Sequence, residues 1–171
     1  MTRRLARMAL LTALALIIFT VEAQIPAPVP IPGIKLGLAN IITVYAMFRL
    51  GPRDALLILL ARILLGNLFV GSVMALLFSL GGGLACWLGM LLLKRILTEK
   101  QIWVASVAGA MCHNLGQMAV TVAVYRTWEL LIYLPVLLLS GIVTGLFTGL
   151  CARFLLERLE RKKKDQGGDP P

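Results

Sequence analysis

IWVASVAGAMCHNLGQMAVTVAVY, residues 102–125, is the stretch that decides the fold. It holds no Asp, Glu, Lys or Arg. At about 1.5 Å per residue it is long enough to cross the roughly 30 Å hydrocarbon core of a bilayer as a helix. Yet it carries His113, Asn114 and Gln117 within five positions, and His113 is the only histidine in the chain. An apolar span with a polar centre calls for a protein interior, because lipid offers such groups no partner.

The rest of the chain agrees with a membrane class. Hydrophobic residues make up 59% and charged residues 15%, against about 25% charged in a soluble domain. Five further apolar runs, near 5–23, 34–50, 54–70, 72–95 and 129–153, complete a predicted all-α bundle of six transmembrane helices over residues 1–155. The run at 34–50 is short, and the run at 72–95 is interrupted by Gly81-Gly82-Gly83. Residues 156–171 form a basic tail, rich at its end in Gly and Pro, expected to be disordered in the cytoplasm.

The net charge of +9 follows from where the basic residues sit. With the N-terminus inside, Arg3, Arg4, Arg7, Arg49, Arg53, Lys94, Arg95, Lys100 and the basic residues from Arg153 onward fall on one side. Only Lys35 and Arg126 fall on the other. That asymmetry predicts cytoplasmic termini. The cluster RLERKKK at 158–164 is expected to meet anionic lipid headgroups rather than nucleic acid. Arg3, Arg4 and Arg7 before an apolar run, with VEA at 21–23, also resemble a cleavable signal peptide. An uncleaved first helix is the reading that keeps the span count even.

Small residues recur at helical spacing. Ala9 and Ala13 lie one turn apart on the first helix, and Gly141, Gly145 and Gly149 form a double GxxxG on the last. Such spacing lets helices approach closely in lipid, within one bundle or between subunits. Cys86, Cys112 and Cys151 lie in apolar runs without metal-ligand spacing and read as small buried hydrophobes. Between spans one and two, Pro26, Pro28, Pro30 and Pro32 alternate with other residues and predict a stiff, extended loop. It is either a plain breaker or a lid over an outward-opening cavity.

The ligand-binding candidates are the polar residues at membrane depth: Glu22, Lys35, Asn40, Arg62, Asn67, His113, Asn114 and Gln117. Gly109, His113 and Gln117 share a helix face, and Gly109 is expected to leave room beside the imidazole. If spans one, two, three and five meet, these groups line one outward-facing pocket. The alternative is a closed network, with Glu22 paired to Arg62 or Lys35 and the amides bonded between helices. No catalytic constellation is evident. The eight acids form no metal-holding pair within a span, and there is no phosphate loop and no nucleophile with an organised base. No metal or cofactor is expected.

IPAPVPIPGIKLGLANIITVYAMF, ARILLGNLFVGSVMALLFSLGGGLACWLGM and VAGAMCHNLGQMAVT together resemble the Gx transporter family, often labelled heptaprenyl diphosphate synthase component I. The resemblance covers about residues 5–155. The family is similar to the substrate-binding S components of energy-coupling-factor vitamin transporters. It therefore implies six helices, a pocket near the outer face and the bacterial cytoplasmic membrane. It also implies a transmembrane coupling subunit with two ATPases, docked on an AxxxA motif that Ala9 and Ala13 match. It carries over onto Pro32, Gly33, Lys35, Gly37, Asn40, Arg62, Gly66, Gly81, Gly82, Gly83, His113, Asn114 and Gln117. Lys35 and Arg62 suit a small molecule bearing a carboxylate, phosphate or carbonyl; an isoprenoid or quinone head group fits as well. The synthase label implies an alternative role, a non-catalytic membrane subunit of isoprenoid or quinone biosynthesis.

Overall fold

The computed structural model describes residues 2–25, 35–70, 72–98 and 101–165. The proline-alternating loop, with Pro32 and Gly33, lies outside the described residues. Those described form six helices and no strand: α1 (Thr2–Glu22), α2 (Asn40–Arg49), α3 (Pro52–Val70), α4 (Val73–Lys94), α5 (Ile102–Tyr125) and α6 (Leu134–Asp165). A 3-10 turn, Trp128–Tyr133, precedes α6.

Local chemistry sets the boundaries. Gly51 at φ 103° follows the last turn of α2, where a left-handed residue lets the chain turn without a Cβ penalty. Pro52 then opens α3, at a position where a missing N–H costs nothing. Ser72 caps α4, its hydroxyl accepting from the Ala75 N–H at 3.3 Å. Arg126 ends α5 in the left-handed region at φ 52°.

Four segments are long and apolar enough to cross a bilayer: α1, α4, α5 and Trp128–Leu159. The other two depart from that pattern. α3 has 19 residues and carries Arg53, Asp54 and Arg62. α2 has only 10 residues, so it rises about 15 Å, half a bilayer core. The expected span at 34–50 is thus a half-helix preceded by non-helical backbone at 35–39. Backbone of that kind is tolerated at membrane depth only where protein covers it. α6 also departs from expectation: it runs on to Asp165, so residues 156–165 of the basic tail are helical, and 166–171 lie outside the described residues.

α5 is packed between α4 and α6, and α3 links this layer to α1 and α2. Glycines make the close contacts. A Cβ on Gly145 would lie 2.6 Å from the Cα of Val107, and one on Gly149 would lie 2.7 Å from the Cα of Trp103. The double GxxxG therefore serves packing inside this bundle. α4 is unbroken through Gly81–Gly83. A Cβ there would meet Gly116 and Val120 from Gly81, His113 and Gln117 from Gly82, and Leu59 and Ile63 from Gly83. The three glycines are a three-way packing device rather than a helix break.

One end of the bundle is tied by polar contacts. The Arg4 guanidinium forms a two-pronged ion pair with Asp54, its Nε donating to Oδ2 at 3.0 Å. The Lys94 ammonium donates to the Met47 carbonyl at 2.5 Å, and the Trp87 indole donates to the Pro52 carbonyl at 2.9 Å. Lys94 thereby serves the negative end of α2. The outward faces of α1 and α6 stay apolar, with Leu10, Leu14, Ile17, Leu139, Val143 and Phe147 exposed. In water that would be a large adhesive surface; in a bilayer it is ordinary.

Candidate functional site

The interior above α2 begins with Glu22. This carboxylate is buried at the end of α1, and it accepts from the N–H groups of Gly37 at 2.5 Å and Ala39 at 3.2 Å. Those donors belong to the turn before α2, whose own first N–H groups, on Asn40, Ile41 and Ile42, bond to the carbonyls of Gly37, Leu38 and Ala39. The positive end of the α2 dipole adds to the attraction for a carboxylate there. Glu22 thus caps the turn that leads into α2 from another helix, where the alternative reading paired it with Arg62 or Lys35. Gly37 has φ 83°, and a Cβ on it would sit 2.9 Å from Asn40 Nδ2 and 3.2 Å from His113 Cδ2. Both the backbone angle and the neighbours require glycine.

Two cations act on this carboxylate. Lys35 and Arg62 each interact electrostatically with Glu22. The Lys35 ammonium lies 3.5 Å from the centre of the Phe19 ring, a cation–π contact. Arg62 is buried on α3, and its Nη2 donates to Asn40 Oδ1 at 3.4 Å, a long bond. Among the described residues, Arg62 Nε, Asn40 Nδ2 and Lys35 Nζ are buried without a hydrogen-bond partner.

α5 supplies the facing wall. Its single histidine is 4% exposed and sits mid-helix, as its place 11 residues from Ile102 requires. The imidazole is held between two glycines. Gly37 approaches Cδ2, and a Cβ on Gly82 would come within 2.8 Å of Cε1. The Gly82 carbonyl lies near the ring, but neither ring nitrogen has a hydrogen-bond partner among the described residues. Gln117, one turn on, also packs on Gly82, and its Oε1 is unpartnered.

The structure brings together Glu22, Lys35, Asn40, Arg62, His113 and Gln117. Asn114 is turned elsewhere: its amide donates to the Leu137 carbonyl of α6 at 2.5 Å beside Gly141. Asn67 has a buried, unpartnered Oδ1 on α3, and no described contact joins it to the cluster. Gly109 lies on the same side of α5 as His113, as expected, and that side faces α4. The room it leaves is filled by Met90 and Cys86, so Gly37 and Gly82 make the space by the imidazole instead. Phe19 was missed by sequence reasoning. Its only signal was an aromatic one turn before Glu22, among many apolar residues.

The comparisons with known proteins bear on this same region. A model of the family described as heptaprenyl diphosphate synthase component I matches residues 11–155. The chain belongs to that family. All the clustered residues fall inside the matched part. No curated protein and no solved structure matches the chain. Family membership and the apolar helices together make this a multi-pass membrane protein of the component I family.

Proposed function

We propose that this chain is the substrate-binding subunit of a membrane transporter, and that the polar interior above α2 captures a small, anion-bearing molecule. One observation carries the reading. Lys35 Nζ, Asn40 Nδ2, Arg62 Nε, both His113 nitrogens and Gln117 Oε1 are buried without hydrogen-bond partners among the described residues. Each such group costs about 1–3 kcal/mol when left unsatisfied. Proteins tolerate that cost where the groups serve a ligand. Donors outnumber acceptors, and Glu22 already serves two backbone N–H groups. The surplus positive character suits a carboxylate or phosphate.

In this reading the chain crosses the bacterial cytoplasmic membrane six times, both termini lie inside, and the cluster opens outward. Charge distribution supports that orientation. The end tied by Arg4, Asp54 and Lys94 is the basic end, and α2 rises from it only halfway, leaving the cluster in the other half. Ala9 and Ala13 on exposed positions of α1 are the proposed docking face for a coupling subunit with its ATPases.

The test is mass spectrometry of small molecules that co-purify with the protein, followed by titration of the compound found. Arg62→Ala and His113→Ala should each weaken its binding about tenfold or more, the loss of one charge-assisted hydrogen bond. Unchanged affinity in both variants removes them from the site. The family description favours a second reading, a non-catalytic membrane subunit of isoprenoid or quinone biosynthesis. Co-purification of a prenyl synthase without any ATPase would support that instead.

A further inference from the structure

A separate cavity of about 620 Å³ lies on the opposite side of α5. Leu115, Ala119, Val122 and Arg126 line it from α5, and Trp128 and Leu131 line it from the 3-10 turn. These α5 positions fall about half a helical turn away from His113, so the cavity does not join the polar cluster. Leu115, Ala119, Trp128 and Leu131 are exposed, which opens the cavity sideways to the bilayer.

Its length, lining and polar end select the occupant. Leu115 to Arg126 spans about 17 Å along the helix axis. A slot of that length, apolar along its walls and cationic at its end, matches an acyl chain joined to an anionic headgroup. The polar end is equally specific. Arg126 has no ion-pair partner among the described residues. It stands at the end of α5, beside a tryptophan of the kind that marks the membrane interface.

We propose that this cavity is a binding site for an anionic phospholipid, with one acyl chain lying along α5 from Ala119 to Leu115 and the phosphate on the Arg126 guanidinium. The turn at Arg126 positions both parts. Its left-handed backbone sends the chain back as the 3-10 turn, so Trp128 and Leu131 close the slot opposite α5. A zwitterionic lipid with the same chains offers the same hydrocarbon, but its own ammonium offsets the attraction of its phosphate for Arg126.

The test uses the full chain, delipidated in mild detergent and titrated with dioleoyl phosphatidylglycerol or dioleoyl phosphatidylcholine, with bound lipid counted by native mass spectrometry. One phosphatidylglycerol should bind about tenfold tighter than phosphatidylcholine, the size of one charge-assisted contact. Arg126→Gln should bring the two lipids to parity. Ala119→Trp should abolish the site for both lipids by filling the slot from an exposed position; if that variant does not fold, Ala123→Phe serves the same purpose. Equal affinity of the wild-type chain for both lipids overturns the proposal, as does a headgroup preference that survives Arg126→Gln. A binding stoichiometry unchanged by the filled slot overturns it as well.

Discussion

Gly82→Ala and Gly83→Ala are adjacent substitutions on one helix with different expected consequences. Both gain about 1 kcal/mol of helix propensity. At Gly83 the new methyl meets only the tips of Ile63 and Leu59, at 3.0 and 3.1 Å. Those ends can swing aside, so Gly83→Ala should be neutral or slightly stabilising. At Gly82 the methyl would lie 2.7 Å from Gln117 Cγ, 2.8 Å from His113 Cε1 and 2.9 Å from His113 Nδ1. The imidazole has little freedom to retreat, because Gly37 and Asn40 stand on its other side. Overpacking of this kind costs about 1–3 kcal/mol, so the net effect should be roughly zero to 2 kcal/mol of destabilisation. The more direct readout is the histidine itself. The chain has one, so a protein purified without a histidine tag gives a single set of imidazole resonances. Gly82→Ala should shift the His113 Hε1 and ring nitrogen signals, whereas Gly83→Ala should leave them in place. Equal shifts, or a larger loss of melting temperature in Gly83→Ala, would refute the glycine sandwich.

Glu22→Gln keeps an acceptor for Gly37 or Ala39 but loses the charge, whereas Glu22→Ala leaves two buried N–H groups without partners. Thermal unfolding in detergent should rank them wild type, Gln, Ala, with the alanine variant losing about 2–4 kcal/mol; an alanine variant as stable as the glutamine one would show that the cap contributes nothing. Replacing Ala9 and Ala13 together with leucine should leave the melting temperature unchanged, since both face outward. It should abolish co-purification with a coupling subunit, and intact co-purification would move the docking face elsewhere. For topology, single cysteines at Thr98 and Thr127, placed in a background lacking Cys86, Cys112 and Cys151, should label oppositely with a membrane-impermeant maleimide. Thr127 should react in intact cells and Thr98 only after permeabilisation; the reverse result would invert the bundle.

Helix existence was legible because it rests on local composition. Each apolar run became a helix. The length of α2 was not legible. KLGLA at 35–39 is apolar enough to extend a helix, but Glu22 binds the N–H groups of Gly37 and Ala39 from α1 and fixes the start of α2 at Asn40. The candidate site was partly legible for the same reason. Helical spacing put His113 and Gln117 on one face, but that face packs on α4, which the expected meeting of spans one, two, three and five did not include. Which side chains stand beside them depends on neighbours up to a hundred residues away in sequence.

The sequence by itself determined an apolar, helical membrane chain with basic residues gathered at one end and a polar stripe on α5. These follow from composition and period, which each segment carries alone. Tertiary structure decided the partners. It gave Asn114 to a carbonyl of α6, Gly109 to Met90 and Cys86, and the two edges of the imidazole to Gly37 and Gly82. It also made Glu22 the cap of the turn that leads into a helix it does not belong to. A carboxylate meets donors by distance in space, and no spacing along the chain encodes that distance.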